Sequence, residues 1–344
     1  MINKAAGRFQ IAAAEARKAV DLDPDRGIDW YNLAVNNLYL NRFDEAEKAI
    51  QAAEARGLSI DEFFMLRYDL AFLRGDAAAM QSVAAAARLR PGAEGWVTNK
   101  EAWAAAWSGH LDQARSLSHR AVESSLHVDQ RERAALWLAG AALREALYGN
   151  ASEARRQAQL ALADSNSREV EYGAAFALAL SGDTARTQTL AADLDKRFPQ
   201  DTLVQFNFLP TLRALVALAR HDAPAALEAL RTAEPYELSP PHELIGALYP
   251  IYVRGLAFLA AHRDQDAARE FQRILDHPGI VGSDPVGVLA RLQRARALAS
   301  AGDRERSLSA YQDLLGLWRD ADPSVRLVTL ARQEASILQH KTSR

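Results

Sequence analysis

Cysteine is absent from all 344 residues, and that absence removes disulfides, thiolate metal sites and cysteine nucleophiles together. A basic excess is missing too. Lysine plus arginine number 41 against 44 aspartate plus glutamate, for a net charge of −3 and a pI near 6.3, so the field that nucleic-acid binding relies on is not there. Met1 to Val20 interleaves alanines with Lys4, Arg8, Glu15, Arg17 and Lys18 and offers no export signal. The most apolar window, Leu244 to Ala261, carries Pro250 and Arg254 and reads as a buried helix of a soluble fold, because an arginine near the middle of a span is costly. The eight histidines include no pair at helical zinc spacing, and His242-Glu243 lacks a second histidine, so no metal site is expected. Neither a Gly-x-Ser-x-Gly elbow nor a Gly-x-x-x-x-Gly-Lys phosphate loop occurs, which leaves no catalytic residues to nominate and no cofactor to expect. Asn150-Ala151-Ser152 meets the glycosylation triplet and is read as coincidence.

What the sequence does contain is apolar material and a period. With 49% hydrophobic and 25% charged residues the chain can build a continuous core and has no disordered composition. Its length alone suggests about two domains, a count that repeats would override. The short segments at Gly7, Asn41, Gly75 and Gly109 are each 34 residues apart, and further ones at Gly149, Gly182, His221, His262 and Gly302 follow at steps of 40, 33, 39, 41 and 40. Nine turns imply about nine helix pairs, with longer connections in the second half. Five residues after each turn stand Ala12, Ala46, Met80, Ala114, Ala154, Thr187, Ala226, Ala267 and Ser307, nearly all small, as close helix approach requires. Twelve residues after stand Ala19, Ala53, Ala87, Ala121, Ala161, Leu194, Ala233, Ile274 and Leu314, on the same helical face and expected inside. Pro24, Pro91, Pro199, Pro235 and Pro278 fall where the second helix of a pair must end, since proline lacks the N–H and biases its predecessor away from helix.

Trp30, Leu33 and Ala34, followed by Phe43, Ala46, Ile50 and Ala53, resemble the tetratricopeptide order of aromatic, aliphatic and small positions, and the match extends along essentially the whole chain. That resemblance implies an all-α fold, a right-handed α-solenoid of about eight to nine tetratricopeptide-like (TPR) helix pairs with a C-terminal capping helix over Ser324 to Gln339. Three segments follow: residues 1–24 as the second half of an incomplete repeat, 25–236 as the main solenoid, and 237–344 as C-terminal helix pairs plus the cap. Because the first helix of the opening repeat is missing, residues 1–24 are expected to pack only on the 30–40 helix, as in a segment of something longer.

The run from Tyr249 to Ala257, Glu270 to His277, Asp284-Pro285, and Ser309 through Pro323 is similar to the C-terminal repeats of large bacterial serine/threonine protein kinases and winged-helix transcription regulators. The kinase parts themselves are missing: there is no glycine-rich loop and no Asp-Phe-Gly. His262-Arg263-Asp264 lacks the asparagine five residues on, where Arg269 stands, and is expected to be a repeat turn.

In the tetratricopeptide family the first helix of each pair lines a concave groove. Counting from the turns puts Tyr31, Asn32, Met65, Asp69, Trp96, Asn99, Trp103, Trp107, Tyr172, Phe176 and Tyr252 on that stripe. The three tryptophans can serve as a binding platform or pack between repeats. Chaperone-type capture of a carboxylate is not expected, because Tyr31 and Val35 occupy the positions that would carry its polar donors. Two functions remain: a non-catalytic scaffold that binds a protein or peptide in its groove, and a signal-sensing arm of a kinase or regulator whose N-terminal domain lies outside this chain. The first implies a cytoplasmic protein, the second an extracytoplasmic arm of a membrane-anchored parent. Neither implies nucleic acid as a partner.

Overall fold

The computed structural model describes residues 2–240 and 248–340, and there the chain is all helix. After the short α1 (Ile2–Ala5) and α2 (Phe9–Leu22) come eight complete pairs: α3 (Gly27–Tyr39) with α4 (Phe43–Glu54), α5 (Glu62–Leu73) with α6 (Ala77–Ala87), α7 (Pro91–Trp107) with α8 (Leu111–His127), and α9 (Arg131–Leu147) with α10 (Ala151–Asp164). They continue as α11 (Arg168–Leu180) with α12 (Thr184–Arg197), α13 (Leu209–Ala219) with α14 (Ala223–Arg231), α15 (Tyr249–Ala260) with α16 (Asp264–Leu275), and, after the one-turn α17 (Pro278–Val281), α18 (Pro285–Ser300) with α19 (Arg304–Leu317). A last helix, α20 (Arg326–His340), follows. Of the apolar window over Leu244 to Ala261, residues 244–247 lie outside the described residues; the rest is α15, where Pro250 sits in the first turn.

The nine turn positions explain the pairing. All nine, Gly7, Asn41, Gly75, Gly109, Gly149, Gly182, His221, His262 and Gly302, have positive φ between 55° and 84°. A residue in that left-handed region ends the first helix by turning the chain back over its last carbonyls. At Gly75, for instance, the Gly75 N–H reaches Phe72 O at 3.0 Å and the Asp76 N–H reaches Ala71 O at 2.9 Å. The next helix then starts at once, and the side chains of Asp76, Asp183, Asp222 and Asp303 cap it by accepting an N–H three residues on. His262-Arg263-Asp264 is one of these turns: Asp264 opens α16 and Arg263 pairs with Asp266 at 2.7 Å.

The small positions are inside as expected. Of those five residues after a turn only Met80 is half-buried and the other eight are buried; twelve residues after, all but the half-buried Ala19 are buried. Thr187 and Ser307 occupy the small position with hydroxyls, which donate to Ala175 O and Ala295 O of the facing helices at 3.1 and 2.8 Å.

One expectation about the ends needs correction. The N-terminal segment does not rest on α3 alone: beside the contact of Phe9 with Tyr39 of α3, at 4.9 Å between ring centroids, Gly7 lies against Leu238 and the Ser239 hydroxyl donates to Ala5 O. The capping helix forms, but its inward face is Val328, Ala331 and Ala335, continued by Val325, while Ile337 is 58% exposed. It is fixed instead by Glu334, which receives the Arg296 guanidinium at 3.0 and 2.9 Å and the Tyr311 hydroxyl at 2.8 Å.

The array closes on itself. Asn41 Nδ2 donates to Asp276 O at 3.0 Å while Gly279 N–H donates to Asn41 Oδ1 at 2.9 Å. Trp318 Nε1 donates to Trp107 O at 3.0 Å, and the Asp322 N–H donates to Gly109 O at the same distance. These bonds join residues 211 to 238 apart in sequence, five or six repeats around the superhelix. Helix α18 thereby lies against α7 and α9, α17 against α3, and a single buried cluster runs from Phe9 through residues 102–335.

Candidate functional site

Because α17 and the turn into α18 cross the concave side, the expected groove becomes a half-open cavity of about 530 Å³. One wall is built by repetition. Val35, Asp69 and Trp103 stand 34 residues apart on α3, α5 and α7; Glu62, Trp96 and Gln130 are likewise spaced, and Tyr31 and Met65 fall one step apart at a third height. The opposite wall is the segment Gly279 to Asp284. Gly279 must be glycine here, since a Cβ would lie 1.8 Å from Leu38 O.

Of the eleven groove residues expected from the repeat register, Tyr31, Met65, Asp69, Trp96 and Trp103 line this cavity. The others do not. Asn32 is half-buried outside it, with its carbonyl taken by Asn36 Nδ2 at 2.7 Å. Asn99 is buried, and Trp107 packs edge-on against Phe72 at 5.6 Å and contacts the α18 backbone at Gly287. Tyr172, stacked on Phe208 at 3.9 Å, and Phe176, against Tyr249, are fully buried; Tyr252 is buried against Phe271. The cause is packing between neighbouring helices: Phe208, just before α13, covers Tyr172, Tyr249 of α15 covers Phe176, and Phe271 of α16 covers Tyr252. Trp96 both lines the cavity and packs edge-on against buried Trp137 at 4.9 Å.

Several wall residues were missed. Lys100 lies on the Trp96–Trp103 stripe at helical spacing and could have been found from it. Its ammonium bonds Asp69 Oδ2 at 2.8 Å, with both side chains 13% exposed. The Gly279–Asp284 wall had only an indirect signal, the 41- and 40-residue steps that exceed the basic period by about the length of the inserted turn. Lys4 places its ammonium over the rings of Tyr31 and Tyr39 at 5.7 and 5.9 Å, and burial lowers its pKa. Arg133 covers Trp96 at 5.0 Å.

Asp284 is a strongly perturbed carboxyl on the wall. It caps α18, accepting the Val286 N–H at 2.9 Å on one oxygen and the Tyr249 hydroxyl at 3.0 Å on the other. Burial raises its carboxyl to about 7, against the pull of those two donors and of the Arg144 and Lys100 charges. Arg144 is itself buried. Its guanidinium lies 5.0 Å over the Trp103 ring and hydrogen-bonds the Ser118 hydroxyl, and burial lowers its pKa to about 10.

Among the described residues no group of three or more His, Asp or Glu is placed to hold a metal ion, and no helix is long and apolar enough to cross a membrane. The arrangement offers aromatic faces, fixed charges and unmet hydrogen-bonding atoms, which is the equipment of a binding site.

No family model and no curated protein matches the chain. Solved structures similar to it include yeast Tom70 at 11% identity, with 99% of this chain and 87% of that one covered and a TM-score of 0.46, and the TPR domain of P58(IPK) at 15% identity, with 99% and 96% covered and a TM-score of 0.29. Naa15/Naa10 bound to HypK-THB gives 15% identity, 99% and 60% coverage and a TM-score of 0.26. The turns, the 34-residue steps and the buried small positions described above make this chain, on its own geometry, an all-α solenoid of tetratricopeptide-like helix pairs.

Proposed function

We propose that the protein is a non-catalytic scaffold that binds a protein or peptide partner by taking a short segment of it into the concave cavity. The observation that carries this reading is convergence: equivalent positions of three successive first helices turn aromatic, charged and apolar groups onto one half-open space. Its 530 Å³ lies within the 300–1,000 Å³ usual for ligand pockets, whereas a helix of 10–12 Å diameter needs an open trough. Closure therefore favours an extended segment, such as a loop tip or a chain end. Large flat aromatics such as Trp96 suit that role, because they bury area at low entropic cost.

The test is selection of binding peptides from a random library on the immobilised full-length chain, followed by titration against wild type and Met65→Arg, which fills the cavity from α5. Selected peptides should bind the variant at least tenfold more weakly. Equal affinity for both proteins would remove the cavity as the site.

A further inference from the structure

The cavity already holds a cation of the chain's own. Lys4, on the four-residue α1, sets its ammonium 5.7 Å from the ring centroid of Tyr31 and 5.9 Å from that of Tyr39, both within the ~6 Å reach of a cation–π contact. All three residues line the cavity. Among the described residues the Lys4 ammonium makes no ion pair and no hydrogen bond, and burial lowers its pKa with no opposing charge to raise it. Aromatic faces, not a carboxylate, hold it.

The segment that delivers this lysine is lightly fixed. Helix α1 spans only Ile2–Ala5, far below the roughly 12–15 residues at which a helix becomes stable by itself, and chain termini are where order is most easily lost. Its hydrogen bonds to side chains are the Ser239 hydroxyl on Ala5 O and the Asn3 amide on Glu15 at 2.7 Å. The next helix does not depend on it, because Phe9 on Tyr39 and Gly7 against Leu238 remain when α1 lifts away. With Lys4 withdrawn, the wall carries Asp61, Glu62, Asp69 and Asp284 against Lys100 and Arg133. Lys100 is already bonded to Asp69, and Glu62 makes no ion pair among the described residues. Negative ring faces and a negative balance of charge repel a carboxylate and favour a cation.

We propose that this site takes a lysine side chain of the partner, whose ammonium replaces that of Lys4 over Tyr31 and Tyr39 while α1 is displaced. This rests on the cavity being the partner site and names the side chain it reads there. Lys4 is then a built-in competitor that a partner must outbind.

The experiment titrates Ac-Ala-Lys-Ala-NH2 and its Nε-acetyl form, by calorimetry, into full-length wild type, Lys4→Ala, and Lys4→Ala combined with Tyr31→Leu. Lys4→Ala clears the rings whether or not α1 stays in place, and should bind the lysine peptide at least fivefold more tightly than wild type. The acetylated peptide keeps the stem and loses the charge, so it should bind Lys4→Ala at least tenfold more weakly. Adding Tyr31→Leu should weaken the lysine peptide at least fivefold. Equal affinity of wild type and Lys4→Ala, indifference to acetylation, or no binding to Lys4→Ala at millimolar peptide overturns the assignment. The outcomes also separate the two claims. Library peptides that lose affinity for Met65→Arg, yet keep full affinity for wild type when their lysines are replaced by glutamine, leave the cavity as the partner site and sink only the lysine. Peptides indifferent to Met65→Arg sink both.

Discussion

Asp284 gives the sharpest test of how the closed structure is held. Its folded carboxyl titrates near 7 against an ordinary 3.8, so the folded state keeps a proton that the unfolded chain releases. Stability from this group is therefore fullest in acid and falls as pH rises from about 4 to about 7, the reverse of a salt-bridged carboxylate. At about 1.4 kcal/mol per unit, the part of that fall between pH 5 and pH 8 amounts to about 3 kcal/mol. Unfolding entropy of about 2 cal/mol/K per residue turns this into about 4 °C of Tm for a chain of this length. Asp284→Asn stays neutral throughout; its Oδ1 still accepts the Val286 N–H, and its amide can donate to the Tyr249 hydroxyl. The quantity to measure is the Tm difference between variant and wild type at pH 5 and at pH 8. Glu171, whose carboxyl burial also raises to about 7 despite its Arg197 partner, is present in both proteins and cancels in that difference. The variant should gain about 4 °C on wild type across the interval. A difference that is flat to within about 1 °C would refute the assignment of a buried, protonated carboxyl at the cap of α18.

Three other expectations follow from packing. Ala46→Leu, at a fully buried crossing of α3 and α4, should cost roughly 1–3 kcal/mol in thermal melts, since added methylenes push the helices apart. Gly279→Ala places a Cβ 1.8 Å from Leu38 O and should pry the α17 turn off α3, raising the radius of gyration in small-angle scattering while helicity by circular dichroism stays near that of wild type. Arg254→Met removes the buried guanidinium that bonds Glu237 at 2.5 Å and Glu270 at 2.9 Å; with Arg273 still on Glu237, urea unfolding at pH 7 should show a loss of about 3 kcal/mol.

The repeat was legible in the sequence because it is enforced locally. A helix pair needs one residue able to take positive φ, a small residue five positions on and an apolar one twelve on, and each requirement leaves a mark at a fixed offset. That is why the nine turns fell where the spacing placed them, including Asn41, His221 and His262, which take positive φ without being glycine. Met80 and Ala19 are the exceptions, each only half-buried, and the last helix shows the limit of counting. That helix is held by Glu334 and by small contacts at Ala331 and Ala335, and the large apolar Ile337 is left outside.

The site was half legible for a different reason. The register put Tyr31, Met65, Asp69, Trp96 and Trp103 on the inner face, where they line the cavity, and put Tyr172, Phe176 and Tyr252 on the same face, where rings of neighbouring helices cover them. Closure of the array is hidden from the register as well. Each repeat adds a small rotation to the last, so whether the eighth pair meets the third depends on a sum over many interfaces that no local pattern records. The contacts that complete it set backbone groups against single side chains, Asn41 on Asp276 O and Gly279 N–H and Trp318 on Trp107 O, with one backbone bond, Asp322 N–H to Gly109 O, and one asparagine or tryptophan leaves no periodic mark.

Closure and binding are then one equilibrium. The cavity has an opposite wall only while Gly279 to Asp284 lies across α3, α5 and α7, so a ligand that touches both walls binds the closed form and not an opened one. By mass action, such a ligand at a hundred times its Kd adds about 2.7 kcal/mol to the closed form. Conversely, Gly279→Ala, whose Cβ would point at Leu38 O, must weaken binding by whatever fraction of molecules it leaves open. A scaffold built this way reports occupancy through the seam between its first and last repeats, where Asn41, Trp107 and Gly109 meet Asp276, Trp318 and Asp322.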